Sequence, residues 1–479
     1  MTRERIYLLV LVILVGAGLM AYAQTMAFAW DEGFHLLAAQ LILRGMRPYL
    51  DFFHAQTPLY AYWNAFWMKL FHDTWRTAHT VSTTCTMSAL WLTGTYVYNR
   101  FEWCRNWRFP MTFAAVLMVG LNSQVFEFGT IAQAYGLCLL AGVAAFRLTV
   151  ATEKHNDARY AVGAGFFAGV AAASSLLTAP MGPVLLIWML RTQRLKRTLA
   201  FLGGAIVPFF PLLRLFAKSP KVVFFGAVKF HLFYRTVDWS ESGIQNAEVA
   251  TDWLESPHAM LMGLLLLLAL VFLARNPIPM SLRRELRLCL WLSAVEGAYL
   301  IYVRPTFPRY YLFVVPFVAI VSTVGLFYAG THIGRPDKPR WIMVIFTAVM
   351  LLGIGRTLHG SKGDYRWADW EKIGKKVDQV TRPGGLIYAD EAVFFVTRRQ
   401  PPSGLEYEDT HKLHLSDALE KEMHIFPREE LMRRVKAGTY DTVTTCEDDD
   451  KIKEQNLPEI YKQKVTIGDC SVFWEKEKP

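Results

Sequence analysis

Residues 6–29 read IYLLVLVILVGAGLMAYAQTMAFA, and the chain then turns polar at Trp30-Asp31-Glu32. A helix needs about 20 apolar residues to cross a hydrocarbon core about 30 Å thick. This run is long enough and carries no charge. Arg3 and Arg5 precede it, and Ala21-Tyr22-Ala23 offers a small-residue cleavage site, so a removed secretory signal is one reading. Apolar character continues past that site to Trp30, which favours a retained membrane helix. On either reading Asp31 begins the far side of the membrane.

The rest of the chain repeats the pattern. Met260–Ala274 and Trp341–Ile354 are free of charge, and Phe201–Phe216 holds only Arg214. Of the 479 residues 53% are hydrophobic, and the mean hydropathy of +0.21 reflects these concentrated runs. About eleven spans are expected, near 6–29, 77–98, 110–122, 130–150, 160–176, 177–190, 198–216, 259–274, 286–303, 310–329 and 340–357. The net charge of +10 sits mainly in short loops on one side of this plan. Arg100, Arg105 and Arg108 fall in one such loop, and Arg191, Arg194, Lys196 and Arg197 in another. Arg283, Arg284 and Arg287 follow, then Arg335, Lys338 and Arg340. The opposite loops near Asn122–Glu127 and Leu176–Ala179 have no Lys or Arg. That is the positive-inside pattern, and it speaks against nucleic-acid binding as the reason for the charge. It places the N-terminus in the cytoplasm and the C-terminus outside it.

Two extracytoplasmic loops are long, 30–76 and 217–258. The first carries an apolar helical stretch, Gly33–Leu43, the turn signal Gly45-Met46-Arg47-Pro48, and an aromatic stretch, Tyr60–Phe71. These are expected to lie in the membrane interface. Trp30, Tyr60, Tyr62, Trp63 and Trp67 suit an interfacial aromatic belt, and some can equally stack on a sugar. The second loop holds Lys229, His231, Arg235 and Asp238. From about Gly360 the composition becomes that of a soluble domain. Asp364–Val380 has amphipathic helical spacing, Gly385–Ala389 and Tyr440–Thr444 suit strands, and Tyr461–Ile467 and Ser471–Glu475 flank a Gly468-Asp469 hairpin turn. The expected architecture is an all-α polytopic membrane domain, 1–357, followed by a small extracytoplasmic α/β domain, 358–479. Six cysteines form no CxxC motif. Cys85, Cys138 and Cys289 suit packing, while Cys446 and Cys470 are either a disulfide or two separate thiols.

Asp31-Glu32 is the pair that attracts chemistry. Two acids at a helix start also serve as solvated cap residues, favoured by the helix dipole. A carboxylate held beside apolar helices is partly desolvated, which makes it a stronger base. Asp31 and His35 are four residues apart and share a helix face. With His54 they are a possible divalent-cation set, the alternative being packing histidines.

Trp30-Asp31-Glu32-Gly33-Phe34, then Gly45-Met46-Arg47-Pro48-Tyr49, then His54-Ala55-Gln56-Thr57-Pro58-Leu59, resembles the first loop of GT-C fold glycosyltransferases. Within that fold the segments look like those of the protein O-mannosyltransferases, the lipid A aminoarabinose transferases and the rhizobial lipopolysaccharide transferases. Phe307-Pro308-Arg309-Tyr310-Tyr311-Leu312, followed by Pro316, resembles their late Arg-Tyr signature, and Thr178 with Gly182-Pro183 a further hairpin pattern. The resemblance spans about residues 1–330. It implies a sugar donor on a polyprenyl phosphate, hexosyl or pentosyl, and a lipid, glycan or protein acceptor. It also implies a cell-envelope role at a bacterial inner membrane. Asp31 would take the proton of the attacking hydroxyl, with Glu32 beside it. Arg309, Arg304, Tyr310, Lys229 and Arg235 would serve the donor phosphate, and His54, Gln56, Tyr60 and Glu127 the substrates. Cations suit a phosphate leaving group, and arginine offers it a planar fork.

The chain departs from those families in two places. Where they often carry Lys before the first-loop Pro, it has His54 and Gln56; where they often carry a second loop acid, it has Glu127, then Gln133 and Tyr135. Two rival classes remain, a transporter or flippase of a lipid-linked saccharide and a non-catalytic scaffold. Transporters place ionisable groups at mid-membrane. Glu296 is the main acid inside a span, whereas most acids gather in the outer loops.

Overall fold

The computed structural model describes residues 3–27, 32–192, 195–234, 248–249, 251, 256–276, 278–333, 339–361, 365–407, 410, 413, 415–447 and 449–476. Among the described residues, six helices are long and apolar enough to cross a membrane: Arg3–Thr25, Tyr135–His155, Leu195–Lys218, Pro257–Arg275, Val315–His332 and Trp341–Gly360. Helices of this length and composition make the protein an integral membrane protein. Helices Trp75–Arg100, Arg105–Gly120, Ala158–Ser174, Met181–Thr192 and Met280–Tyr302 lie where the other spans are expected, each shorter or more polar. The chain divides into two compact units, Met1–Met26 with His79–Pro211 and Glu241–Gly363, and Ala27–Ala78 with Leu212–Ser240 and Asp364–Pro479.

The first unit is helical. Apolar side chains such as Leu14, Leu264 and Leu352 are exposed, as suits a surface solvated by lipid. Lipid supplies no hydrophobic drive for helix association, so small residues and close packing must do so. Helix Ala158–Ser174 carries Gly165 and Gly169, and Leu195–Ile206 carries Gly204. A Cβ on Gly165 would lie 1.9 Å from the Phe201 carbonyl oxygen, and one on Gly204 2.1 Å from that of Val162. The two backbones touch. Gly325 of Val315–Ile333 lies as close to the Leu265 carbonyl of Pro257–Arg275. A polar clamp joins Trp75–Arg100 to Met280–Tyr302: Tyr96 Oη and Arg100 Nε both donate to the buried Glu285 carboxylate, at 2.8 and 2.7 Å.

The second unit holds a four-stranded sheet in the order β1-β2-β4-β3, with β1 Ile387–Tyr388, β2 Thr442–Thr445, β3 Tyr461–Ile467 and β4 Cys470–Lys476. β1 and β2 run parallel, and the β3–β4 hairpin completes the sheet in antiparallel sense. The Thr445–Ser471 pair sets the register, and the next pair outward is Cys446 and Cys470, which form a disulfide. One core, including Leu431, Val435, Val443 and Phe473, lies within the C-terminal segment. A second is built from three stretches of chain: Tyr49 and Phe53 of the first long loop, Val223, Phe225 and Phe230 of the second, and Leu413, Met423 and Ile425 of the C-terminal segment.

Candidate active site

Asp31 lies outside the described residues, as does Arg235. Glu32 immediately precedes helix Gly33–Leu43 and has no exposed surface. The Trp367 indole Nε1–H donates to its Oε1. Trp367 opens helix Trp367–Val380 and stacks on Trp75, the ring centroids 5.7 Å apart and the planes 13° from parallel. Its other neighbour is Phe395 of helix Glu391–Thr397. Gly33 faces that helix so closely that a Cβ would meet the Ala392 backbone nitrogen at 2.9 Å. Farther along, Gln40 Nε2 donates to the Phe395 carbonyl at 3.3 Å and Arg44 to that of Arg398 at 2.8 Å. The helix after the acidic pair is therefore laid along Glu391–Thr397 over its whole length.

His35 points into the interior of the second unit, edge-on to Tyr60 with centroids 5.4 Å apart. Burial chiefly, and the nearby His54 in addition, lower its pKa to about 3. Burial also lowers His54 to about 4, against an opposing hydrogen bond with the Thr57 backbone. Both imidazoles are neutral at physiological pH. Neither brings positive charge to a phosphate, in the segment where the resembling families often place a lysine. His54 Nε2 is buried with no hydrogen-bond partner among the described residues. Among those residues no three His, Cys, Asp or Glu groups gather to hold a metal ion. Gln56 is half-buried and Tyr60 buried, and the Gln56 carbonyl accepts from Tyr49 Oη.

The second long loop is helical in its described part. Pro220–Phe224 runs into a ten-residue π-helix, Phe225–Tyr234. Wide helices of that kind are rare and concentrate at functional sites. Gly226 permits its close approach to the first loop, since a Cβ there would lie 2.4 Å from the His54 carbonyl oxygen. The His231 ring nitrogen bonds the Ala55 carbonyl oxygen. Lys229 rides half-buried on this helix.

In the first unit, Arg309 stands on the 3-10 turn Pro308–Phe313. Its guanidinium lies 4.1 Å above the Phe307 ring and 5.8 Å from the rings of Phe128 and Tyr310. Phe128 ends the short helix Ser123–Phe128, whose start is capped by Asn122 accepting from the Gln124 N–H at 3.1 Å. Glu127 belongs to that helix, so the structure brings the Glu127 and Arg309 segments together. Tyr310 is buried and Arg304 exposed. Aromatic rings suit the face of a guanidinium, and the planar N–H fork of a guanidinium suits an oxyanion. Sequence reasoning does not find Trp367 or the Glu391–Thr397 helix, because nothing local marks them as partners of the acidic pair.

The fold is that of the GT-C glycosyltransferases. The chain is similar to ArnT from Cupriavidus metallidurans, a lipid A aminoarabinose transferase, in the structure bound to undecaprenyl phosphate. That match has a TM-score of 0.66 and 13% identity, and covers 97% of each chain. The apo ArnT structure matches with the same score at 14% identity. The archaeal oligosaccharyltransferase AglB from Archaeoglobus fulgidus, in complex with an inhibitory peptide and a dolichol-phosphate, matches with a TM-score of 0.53 and 11% identity, over 96% of this chain and 73% of that one. At these identities the likeness is one of fold. No protein-family model matches the chain. No curated protein matches it either.

Proposed function

We propose that this protein is an inverting glycosyltransferase that moves a sugar from a polyprenyl-phosphate donor to an acceptor hydroxyl at the extracytoplasmic membrane face. The observation that carries the reading is the end-to-end likeness to ArnT, seen with undecaprenyl phosphate bound. The acid pair after the first helix and the Arg-Tyr turn support it from the sequence. In this mechanism Asp31 accepts the acceptor's hydroxyl proton as the oxygen attacks the anomeric carbon. The new C–O bond forms as the bond to the donor phosphate oxygen breaks, and the lipid phosphate leaves as an anion. Arg309 is assigned to that phosphate, with Tyr310 beside it and Arg304, Lys229 and Arg235 as further cations. A fixed positive charge stabilises the leaving group without a proton. His54, Gln56, Tyr60 and Glu127 are assigned to the substrate side. The acceptor is a lipid, glycan or protein hydroxyl.

The charge pattern of the loops and the Cys446–Cys470 disulfide both favour an N-terminus in the cytoplasm and a C-terminal domain outside, because disulfides persist in oxidising compartments. A bacterial inner membrane fits that arrangement. A second reading, transport of a lipid-linked saccharide, is favoured by one observation. Glu296 lies buried in helix Met280–Tyr302, and neither carboxylate oxygen has a hydrogen-bond partner among the described residues.

The test is transfer of radiolabelled sugar from a panel of polyprenyl-phosphate donors in membranes. Asp31→Asn keeps size and removes the base, so its rate should fall on the order of a hundredfold or more. Full activity in a folded Asp31→Asn would remove Asp31 from the mechanism. Movement of labelled lipid across vesicles without transfer, lost in Glu296→Gln, would favour the transporter.

A further inference from the structure

We propose that Thr86 is a positioning residue for Arg309. Its hydroxyl holds the Gly129 carbonyl and so fixes a loop whose two end rings brace the turn on which the arginine stands. The inference rests on the assignment of Arg309 to the donor phosphate and deepens it.

Three observations in the first unit converge. The first is a bond. Thr86 has no exposed surface on helix Trp75–Arg100, and its Oγ1 donates to the Gly129 carbonyl oxygen at 2.5 Å. Ser82, four residues earlier on the same helix face, donates to that oxygen at 3.4 Å. Gly129 caps helix Ser123–Phe128, beyond which a carbonyl has no partner within the helix and, once buried, needs one elsewhere. The second is a pinch. A Cβ on Gly129 would lie 3.0 Å from Thr86 Oγ1, and one on Gly136 would lie 2.6 Å from the Ser82 carbonyl oxygen and 2.9 Å from that of Gly129. Both ends of the loop are thus pressed on one face of Trp75–Arg100, and every residue from Gly129 to Ala134 is buried. The third is what the loop carries. Phe128 and Tyr135, the residues next to Gly129 and Gly136, both reach the turn Pro308–Phe313. The Phe128 ring lies 5.8 Å from the Arg309 guanidinium, the Tyr135 ring lies 5.7 Å from that of Phe313, and the two meet edge-on at 6.3 Å. A guanidinium binds phosphate through a planar fork, so the rings that set its plane bear on binding. Thr86 acts on the phosphate site through a carbonyl and a ring, without touching substrate.

The experiment measures equilibrium binding of undecaprenyl phosphate to the full-length protein in detergent, with the melting temperature of each variant. Arg309→Ala should weaken binding on the order of tenfold or more, as loss of a charged hydrogen-bond donor does. Thr86→Val keeps the shape and removes the hydroxyl. It should weaken binding about threefold or more, a coupling of the size found within one contact network. Thr86→Ser keeps the hydroxyl and should bind like wild type. In the Arg309→Ala background Thr86→Val should cost nothing further, whatever other partners the arginine has. If Thr86→Val does not fold, Phe128→Leu takes its place, with the same loss expected and the same silence in the Arg309→Ala background. Wild-type affinity in Thr86→Val, where Arg309→Ala is weakened, overturns the positioning role alone. Thr86→Ser as weak as Thr86→Val overturns it too, as does a Thr86→Val loss that persists in full without Arg309, since either result makes the residue a packing element. A wild type that does not bind the lipid, or an Arg309→Ala that binds it fully, overturns the phosphate assignment and this role with it.

Discussion

At the scale of single residues, the second unit buries groups that water would rather keep. Glu406 is almost fully buried and accepts from the Gly404 N–H at 2.7 Å, and burial raises its pKa from 4.5 to about 7. The unfolded chain loses that proton near 4.5 and the folded chain near 7. The contribution to stability is therefore complete below pH 4.5 and lost as pH rises through 7. The shift is worth about 3 kcal/mol at most. Glu406→Gln removes the titration, so wild type should lose thermal stability relative to the variant between pH 4.5 and 7.5. Parallel melting curves across that range would refute it. His35 and His54 act in the opposite sense: their lowered pKa values stabilise the fold above pH 6.5, and that stability is lost as pH falls. Both proteins keep these histidines, so the comparison isolates Glu406. Residues of this scale divide sharply in how legible they are. Asp31-Glu32 stands out because two charges end a long apolar run. Trp367 does not, because it meets Glu32 from 335 residues away and carries no mark of that partnership.

Among the elements, membrane helices are the most legible, since an uninterrupted apolar run has few other uses. The helices that packing sustains are less so. Ala158–Ser174 and Leu195–Ile206 owe their contact to glycines whose importance depends on which face they occupy. Gly203 and Gly204 make a controlled comparison. A Cβ on Gly203 meets nothing within 4 Å, whereas one on Gly204 would sit 2.1 Å from the Val162 carbonyl oxygen. Gly203→Ala should be neutral or stabilising by up to about 1 kcal/mol, through helix propensity. Gly204→Ala should destabilise by about 1–3 kcal/mol, because the backbones must part. Melting temperatures in detergent decide it, and equal effects at the two sites would mean that the helices do not pack this way. The π-helix Phe225–Tyr234 shows where sequence reading stops. Its residues belong to what reads as an aromatic-rich loop, and its close seat against the His54 backbone at Gly226 is a tertiary fact. The strands were readable as pieces, Tyr461–Ile467 to the residue, but not the sheet order that inserts β4 between β2 and β3.

On the scale of the whole molecule, composition and packing partition the chain differently. Composition changes near residue 358 and suggests that the soluble segment is a domain by itself. Packing groups that segment with both long loops, Ala27–Ala78 and Leu212–Ser240. The reason lies in the shared core. Leu413, Met423 and Ile425 are buried by Tyr49, Phe53, Val223, Phe225 and Phe230, residues that the intervening helices separate widely in sequence. Removing the loops would expose the three tail residues, and burying such a side chain is worth about 1.5–3 kcal/mol. Trp367 would lose Glu32 and Trp75 in the same stroke. The sheet has its own support: the Leu431, Val435, Val443 and Phe473 core and the Cys446–Cys470 disulfide are all local to the segment. A fragment of residues 358–479 should therefore fold in part. Hydrogen exchange should find β2, β3 and β4 protected, while the backbone about Met423 and Ile425 and the helix Trp367–Val380 exchange quickly. The fragment should also bind a hydrophobic dye that the full-length protein does not bind at this face. A fragment protected throughout and free of dye would show that the loops add nothing to its core, and would return the boundary to where composition alone puts it. Partial folding would mean that the segment 358–479 completes its structure only on loops that precede it in sequence, so that the helix Gly33–Leu43 acquires its full support only once residues 391–398 have been made.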